Sequence, residues 1–472
     1  MARTLWFVFV ILAALPASAG VSFSGTLYNT PDNPNGVVSA DLNRDGLPDM
    51  AIASDNMVSV YLATSPGNFG AEADYTVSGN DVLGNMLAAD FNGDGALDLI
   101  VRHNSLAQLS ILWNNGGGTF RTGPTLNLGS PVVSFDLGDF NHDGLLDVAT
   151  VECTSGFPIS CSMKSYKGKG KGVFTKVQSV HLSSIAYQAA VADMNGDSIP
   201  DLVISRTTQI VLWWGKGDGT FSGPTYLSPK GSDDVESFAI GDFTNDSKLD
   251  IVVNTGRNLS SFMGCVSGGS WFYKNTGGKN FSLLWSSPGG CSFLDPIDMN
   301  GDLNQDLIYQ NPDPNSGFFT GLLGNGDGTF HAPTNPSFPN QGGGAIAVRD
   351  VNVDSRDDYI VGFGGIADAM VSLQTGGAKS CKPPSSATLA AKICAPAAGS
   401  TVTSPVSVQA AGNSPAGVIQ LQVWIDGVKQ AVKWHDEISK KFSLPSGTHL
   451  IAVVANDKYL GSAKTTIHVT VP

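Results

Sequence analysis

The chain has 472 residues; 42% are hydrophobic, only 14% are charged, 56 are Gly, and Asp and Glu outnumber Lys and Arg 41 to 27 for a net charge of −14. That hydrophobic share excludes a disordered chain, and so few charges with so much Gly exclude a helical bundle or coiled coil in favour of a turn-rich, all-β protein. An acidic chain also lacks the basic surface that a nucleic-acid binder needs, and its acids are unusual: only Glu72, Glu152, Glu236 and Glu437 are Glu, the remainder being the short carboxylate that suits loops.

At the start, Arg3, an apolar run from Leu5 to Leu15 and the small triplet Ala17-Ser18-Ala19 predict a secretory signal over residues 1–19, with the mature chain beginning at Gly20. The run is too short to favour an uncleaved membrane anchor, no Cys follows the cleavage site to carry a lipid, and no later stretch looks transmembrane. Six cysteines in an exported chain predict three disulfides. Fifteen pairings exist, and spacing favours sequence neighbours: Cys153 with Cys161, Cys265 with Cys291, Cys381 with Cys394. None lies in a Cys-x-x-Cys motif, so thiolate metal binding is not expected.

From Asp41 onward one nine-residue pattern recurs seven times, Asp-x-Asn-x-Asp-x-x-x-Asp, beginning at Asp41, Asp90, Asp139, Asp193, Asp242, Asp298 and Asp350 in steps of 49, 49, 54, 49, 56 and 52 residues. Asp holds positions 1, 5 and 9 in every copy; Asn holds position 3 in all but the fifth, which has Thr244. Short apolar runs flank each loop, such as Val37 to Ala40 and Met50 to Ala53, and read as strands. A third run follows (Val58 to Leu62, Leu109 to Trp113, Ile210 to Trp214). Then comes a Gly-rich turn ending in Phe, as in Gly116-Gly117-Gly118-Thr119-Phe120. Four strands in each of seven repeats predict a β-propeller, with a solenoid as the runner-up.

The ends decide between the two. Six repeats end in a Phe-led strand (Phe69, Phe120, Phe174, Phe221, Phe281, Phe330), but the seventh ends at Gly376-Gly377-Ala378 without one. A Phe-led stretch, Phe23 to Tyr28, stands instead at the start of the mature chain. It is expected to complete the last blade and close the ring, which removes an open sheet edge.

The pattern resembles the FG-GAP (VCBS-type) repeats of integrin alpha subunits, of many exported bacterial proteins and of some propeller lectins, over roughly Gly20 to Lys379. The resemblance implies a seven-bladed propeller over 20–379 and calcium in the aspartate loops. Ca²⁺ takes six to eight hard oxygen ligands, whereas Zn²⁺ would want His or Cys. Positions 1, 3, 5 and 9 would give side-chain oxygens and position 7 its backbone carbonyl. The expected ligands are Asp41, Asn43, Asp45, Leu47 and Asp49; Asp90, Asn92, Asp94, Ala96 and Asp98; Asp139, Asn141, Asp143, Leu145 and Asp147; Asp193, Asn195, Asp197, Ile199 and Asp201. The later loops offer Asp242, Thr244, Asp246, Lys248 and Asp250; Asp298, Asn300, Asp302, Asn304 and Asp306; Asp350, Asn352, Asp354, Arg356 and Asp358. Up to seven structural Ca²⁺ ions would nearly balance the acid excess. An EF-hand is excluded because position 12 is never acidic (Ile52, Val101, Thr150, Ile204, Val253, Tyr309, Val361) and the flanks are strands. The competing reading is Asp/Asn turns without metal, weighing most on loops five to seven, where Thr244, Leu303 and Ser355 depart from the pattern.

Lys382-Pro383-Pro384-Ser385-Ser386 marks a linker over 380–390. Residues 391–472 alternate apolar and polar, with an Asp426-Gly427 hairpin signal, and look like a small Ig-like β-sandwich; Trp424 and Trp434 read as packing residues. No nucleophile elbow, HExxH or phosphate loop occurs. The expected function is that of a secreted calcium-binding scaffold for adhesion or for a glycan or protein ligand, outside the cell, at its surface or in the periplasm, with no nucleic-acid partner and no membrane span in the mature chain. The alternative is a polysaccharide-active enzyme, a lyase or hydrolase, on the same propeller, and a purely structural envelope component comes third. The binding face is expected opposite the aspartate loops, where the connections Glu152 to Lys164 and Asn254 to Ser270 are long and where four cysteines would staple them. Candidate contacts there are Arg102, Lys164, Arg206, Arg257 and Trp271.

Overall fold

A computed structural model of the chain describes residues 23–30, 34–156, 158–230, 234–256, 268–288, 294–310, 319–332, 345–354, 356–362, 368–374, 381–384, 388–415, 417–459 and 461–472. The expected signal over 1–19, Arg257, Cys265, Cys291 and Ser355 lie outside the described residues.

The described chain up to Gln374 is all β. The first repeat makes a four-stranded antiparallel sheet from Gly36–Ala40, Asp49–Ser54, Met57–Ser65 and Asn68–Thr76, each strand pairing with the next. Five more sheets repeat this order, starting at Leu83–Ala89, Val132–Gly138, Ala186–Ala192, Asp234–Gly241 and Leu294–Ile297. Second strands are covered on both faces, which explains their unbroken runs of apolar and small residues: Asp49–Ser54 and Asp147–Cys153 are buried throughout. Fourth strands lie at the rim and alternate, as Phe174–Leu182 does.

The seventh sheet takes three strands from its own repeat, Ile346–Arg349, Asp358–Gly362 and Asp368–Gln374, and its fourth from the start of the chain. Phe23–Asn29 pairs antiparallel with the last strand, with Phe23 opposite Gln374 and Asn29 opposite Asp368. An apolar core separates each sheet from the next. Val60, Leu83, Leu99 and Phe120 lie between sheets one and two, Phe23, Ile308, Leu323 and Tyr359 between six and seven, and Ile52, Phe69, Ile360 and Val371 between seven and one. The Phe that opens each fourth strand plugs the core shared with the preceding sheet: Phe120 meets Tyr75 edge-on at 5.4 Å, Phe221 meets Phe140 at 5.2 Å and Phe330 meets Phe243 at 5.6 Å. Phe23 does the same beside Tyr359 at 4.9 Å, so it is the seventh member of the set. Repeated four-stranded sheets packed in this way fit a β-propeller.

Polar bolts join some sheets as well. Asn114 Nδ2 donates to the Leu42 carbonyl of the preceding repeat at 2.7 Å, Asn275 Nδ2 donates to Met194 at 2.7 Å, and Gln374 Nε2 donates to Met299.

The C-terminal unit has a three-stranded sheet (Ala390–Ala395, Val406–Asn413, Glu437–Phe442) and a four-stranded sheet (Val418–Ile425, Val428–Lys433, Gly447–Asp457, Ser462–Val471). Both sheets share one core, including Val408, Ala410, Leu421, Val423, Ile438, Ile451 and Val453. Asp426 and Gly427 make the two-residue turn at φ 51° and 80°, as the hairpin signal predicts. Cys381 is buried, bonded to Cys394, and its N–H donates to Glu437 Oε1 at 3.1 Å, so this unit reaches back into the expected linker.

Deleting residues 23–29 is expected to leave the seventh sheet with an open edge and to unplug the core at Phe23. Size-exclusion chromatography should show aggregation, or thermal unfolding should broaden. A monomeric truncation with an unchanged melting curve would contradict closure by this strand.

Candidate functional site

The aspartate loops share one geometry. In the first, Asp41 accepts the N–H of Asp45 at 3.1 Å and of Gly46 at 2.9 Å, Asn43 Oδ1 accepts the Asp45 N–H at 2.9 Å, and Asp45 Oδ1 accepts the Leu47 N–H at 2.8 Å. The same Asp-first, Asn-third and Asp-fifth bonds recur in loops three and four. Short Asp and Asn side chains fold back on their own backbone in this way. The loop needs left-handed backbone at position 6, supplied by Gly46, Gly95 and Gly144, and equally at position 4, where Arg44 and Val353 stand at φ 64° and 57°. The requirement at position 4 has no constant residue in the sequence to announce it.

Position 9 does something different from positions 1, 3 and 5. In all seven loops it has no exposed surface, and one carboxylate oxygen accepts an N–H from the third strand: Ala63, Asn114, Gly168, Gly215, Asn275, Gly324 and Gln374, at 2.7–2.9 Å. The other oxygen accepts an N–H at the loop's own start, as from Leu42 at 2.8 Å and Phe140 at 2.9 Å. These aspartates clamp loop to sheet. Burial, reinforced by the carboxylates at positions 5 and 1, pushes their pKa up against those N–H donors: to about 7 for Asp49, Asp98, Asp201 and Asp250, about 6 for Asp147 and about 8 for Asp358. For Asp306, burial and then the charge of Asp298 raise it to about 9.

Among the described residues no three His, Cys, Asp or Glu side chains converge as a ready-made metal cage. The donor set nonetheless fits a hard cation. Each loop brings three carboxylates and, outside loop five, an amide oxygen; a carboxylate has about four lone-pair sites, and the backbone N–H groups use only part of them. The loops are not equivalent. Asp246 in loop five is held by Lys248 and Lys274, each at 3.2 Å, which outweighs burial and keeps its pKa below the usual value. Asp354 in loop seven pairs with Arg356 at 3.2 Å, and Asp94 in loop two with Arg44 of loop one at 3.3 Å.

On the opposite face, Cys153 and Cys161 are bonded across paired strands, as expected from spacing. The candidate contacts there need correction. Trp271 belongs to the core between sheets four and five. Lys164 is buried at 2.5 Å from Glu152, which also accepts from Tyr166 Oη at 2.8 Å. Arg206 is buried on Ser183 and Ser184 at 2.6 and 2.9 Å, and Arg102 Nη1 donates to the Val132 carbonyl at 2.8 Å. Their cationic heads satisfy neighbouring strands and loop ends. His103 lies 3.9 Å from Asp81 and 2.9 Å from Ser110 Oγ, the order of a nucleophilic triad, but His103 has no exposed surface and Ser110 is 3% exposed, so no substrate reaches them.

First strands line a central cavity of about 1140 Å³ whose wall includes Asp136, Gln188, Ala190, Asp295 and Arg349. The C-terminal unit sits over its aspartate-loop end. Arg349 Nη2 donates to the Ser414 carbonyl at 2.6 Å, Lys458 Nζ reaches Asp136 Oδ1 at 3.0 Å, and His435 Nε2 lies 3.5 Å from Asp357. Half-buried Trp434 is part of this contact, its indole N–H 3.4 Å from the Ser247 carbonyl.

Three stretches carry an FG-GAP-like repeat. They are residues 41–101, 90–150 and 193–253, each starting on the first Asp of a loop. No curated protein sequence matches the chain. Among solved structures, an Agrocybe aegerita lectin described for recognition of non-reducing terminal N-acetylglucosamine is similar at 17% identity and TM-score 0.43, over 65% of this chain and 80% of its own. The BBS1N–ARL6DN complex soaked with mercury gives 13% and 0.48 over 76% and 98%, and a Desulfotomaculum acetoxidans protein of unknown function gives 13% and 0.40 over 68% and 95%.

Asp98→Ala is expected to cost about 2–4 kcal/mol in chelator, because the Phe91 and Asn114 N–H groups lose their acceptor inside the protein, whereas Asp94→Ala in the exposed part of the same loop should cost under ~1 kcal/mol. Urea unfolding of both variants checks this, and equal losses would contradict the clamp. The pH dependence has a definite sign. The folded, metal-free chain holds more protons than the unfolded chain between the ordinary Asp value of ~4 and the raised values near 7, so its stability falls as pH rises through that window. A melting temperature in chelator that rises from pH 5 to pH 7 would contradict it.

Proposed function

We infer that this chain is an exported, calcium-binding, seven-bladed β-propeller with an appended Ig-like sandwich, serving as an extracellular scaffold that binds a glycan or protein ligand on the face opposite the aspartate loops. The observation that carries it is the sevenfold return of one acid-rich loop at one place in each sheet. Three carboxylates crowd each loop and burial raises the pKa of the ninth-position acid, so the metal-free loops are electrostatically unfavourable. Bound Ca²⁺ would supply positive charge there and offset that repulsion. Positions 1, 3 and 5 would hold it through side-chain oxygens and position 7 through its carbonyl, with position 9 contributing through the lone pairs that its N–H donors leave free. Every loop but the fifth carries the full donor set, and Arg356 on Asp354 weakens the seventh. Two disulfides and the signal-like first 19 residues support export, and no described helix is long and apolar enough to cross a membrane. With the C-terminal unit over one end of the cavity, the far face and its longer loops are the surface left for a partner.

Two measurements test this reading. Each ion bound only by the folded state adds RT ln(1 + [L]/Kd), about 2.7 kcal/mol at a hundredfold excess over Kd. Excess chelator should therefore lower the melting temperature sharply, and elemental analysis should find several calcium ions per chain; an unchanged melting curve with no metal bound would overturn the calcium assignment. A printed glycan array probed with the mature protein tests the ligand class, and its silence, with calcium loaded, would turn the assignment towards a protein partner.

A further inference from the structure

The segment Val432 to Asp436 of the C-terminal unit enters between aspartate loops five and six. Ser247 Oγ donates to the Val432 carbonyl at 2.7 Å, and Gln305 Nε2 donates to the Trp434 carbonyl at 3.0 Å. Between these anchors Lys433 Nζ donates to Asn245 Oδ1, while Asn245 Nδ2 donates to Asn304 Oδ1 at 2.7 Å, so one amide ties the lysine to both loops. The hydrogen bond of the ammonium group goes to the Asn245 amide, and the charges of Asp242, Asp298 and Asp302 act on it from the two loops. Burial holds the Lys433 pKa below the usual lysine value, and these three acids offset that only in part.

Loop five departs from the other loops in one consistent direction. Thr244 stands where the other loops have an amide at position 3, two lysines hold Asp246, and a third, Lys433, is bonded to Asn245 of the same loop. A hydroxyl in place of the amide oxygen and two lysines on one carboxylate leave loop five the most positively balanced of the loops and weaken it as a cation site.

We propose that the C-terminal two-sheet unit is a resident cap on the aspartate-loop mouth of the propeller, latched by Lys433, whose ammonium group is held on Asn245 at the join of loops five and six. The latch rests on the contacts just given and is independent of the calcium reading above. The anchors around the mouth explain why one lysine matters. Ser414 rests on Arg349 at the seventh sheet and Lys458 on Asp136 at the third, whereas Lys433 sits at the join of loops five and six, where the acids of two neighbouring repeats act on its charge. Reversing that charge sets the cap against three acids. With the cap seated, a ligand of the central cavity enters from the opposite face.

The test uses the full mature chain, in calcium and in chelator. Lys433→Glu is expected to enlarge the radius of gyration by small-angle scattering and to speed protease cleavage between the propeller and the cap roughly tenfold. Lys433→Arg, which keeps the charge, and Lys441→Glu, an equal charge change at an exposed position, should behave as the parent chain does. Should Lys433→Glu fold poorly by circular dichroism, Lys433→Met keeps the apolar stem and is measured in the same way. A charge-reversed variant with unchanged scattering and cleavage overturns the latch. Calcium analysis of the same samples separates the two readings: a cap released from a protein that binds no calcium sinks only the calcium assignment, and a calcium-loaded protein whose cap ignores Lys433→Glu sinks only the latch.

Discussion

One buried carboxylate per repeat is the constraint on which the rest of this structure depends. The ninth-position aspartate accepts an N–H from the start of its loop and another from the third strand, so a single side chain fixes where the loop begins and how it sits on its sheet. Asp serves because its short stem keeps the acceptor close to the backbone that needs it; the longer Glu would have to fold up. The cost is a charge held away from water beside two others of the same sign. The sheets are thus stable in shape and strained in charge, and an ion that relieves the charge also reinforces the shape.

That dependence makes the two ends of the cavity unlike. At the loop end, each repeat presents acids that need a counter-charge, whether an ion, a neighbouring Arg44 or Arg356, or the lysines of the C-terminal unit. At the far end the cations Lys164 and Arg206 are already spent inside their own sheets, on Glu152 and on two serines. A partner docking there, as proposed above, would meet among the described residues cations that are already engaged, and would be recognised through the shape and polar groups of the connections more than through free charge.

The sequence made much of this fold legible because its signals are local and repeated. The period, the strand runs, the Phe-led turns and the missing Phe that points to Phe23 all sit within a few residues of the elements they specify, and the structure pairs Phe23–Asn29 as the displaced strand requires. What stayed hidden was whatever depends on a distant partner. Position 9 reads like positions 1 and 5, although its acceptor role is set by a strand 14 to 25 residues further on. Trp271, Arg206 and Lys164 look like surface recognition residues until the neighbouring strands bury them. The bolts from Asn114 and Asn275 span 72 and 81 residues, and the seat of Lys433 against Asn245 spans 188; unlike the displaced Phe strand, none of these partners is marked by a gap in the repeat. Left-handed backbone at Val353 had no glycine to mark it.

The pairing of Phe23–Asn29 with Asp368–Gln374 also fixes an order of assembly. Six sheets are built from neighbouring stretches of chain and can form one after another as each repeat becomes available. The seventh cannot finish until Asp368–Gln374 meets Phe23–Asn29, a segment made before any of the repeats, so the join closes the longest loop of the sheets and is expected to be secured last. Until then the opening strand is a free edge looking for a partner. A chain emerging from a narrow exit would carry that strand unpaired through the making of six repeats, and its slow closure would be the step most exposed to pairing with another copy of itself.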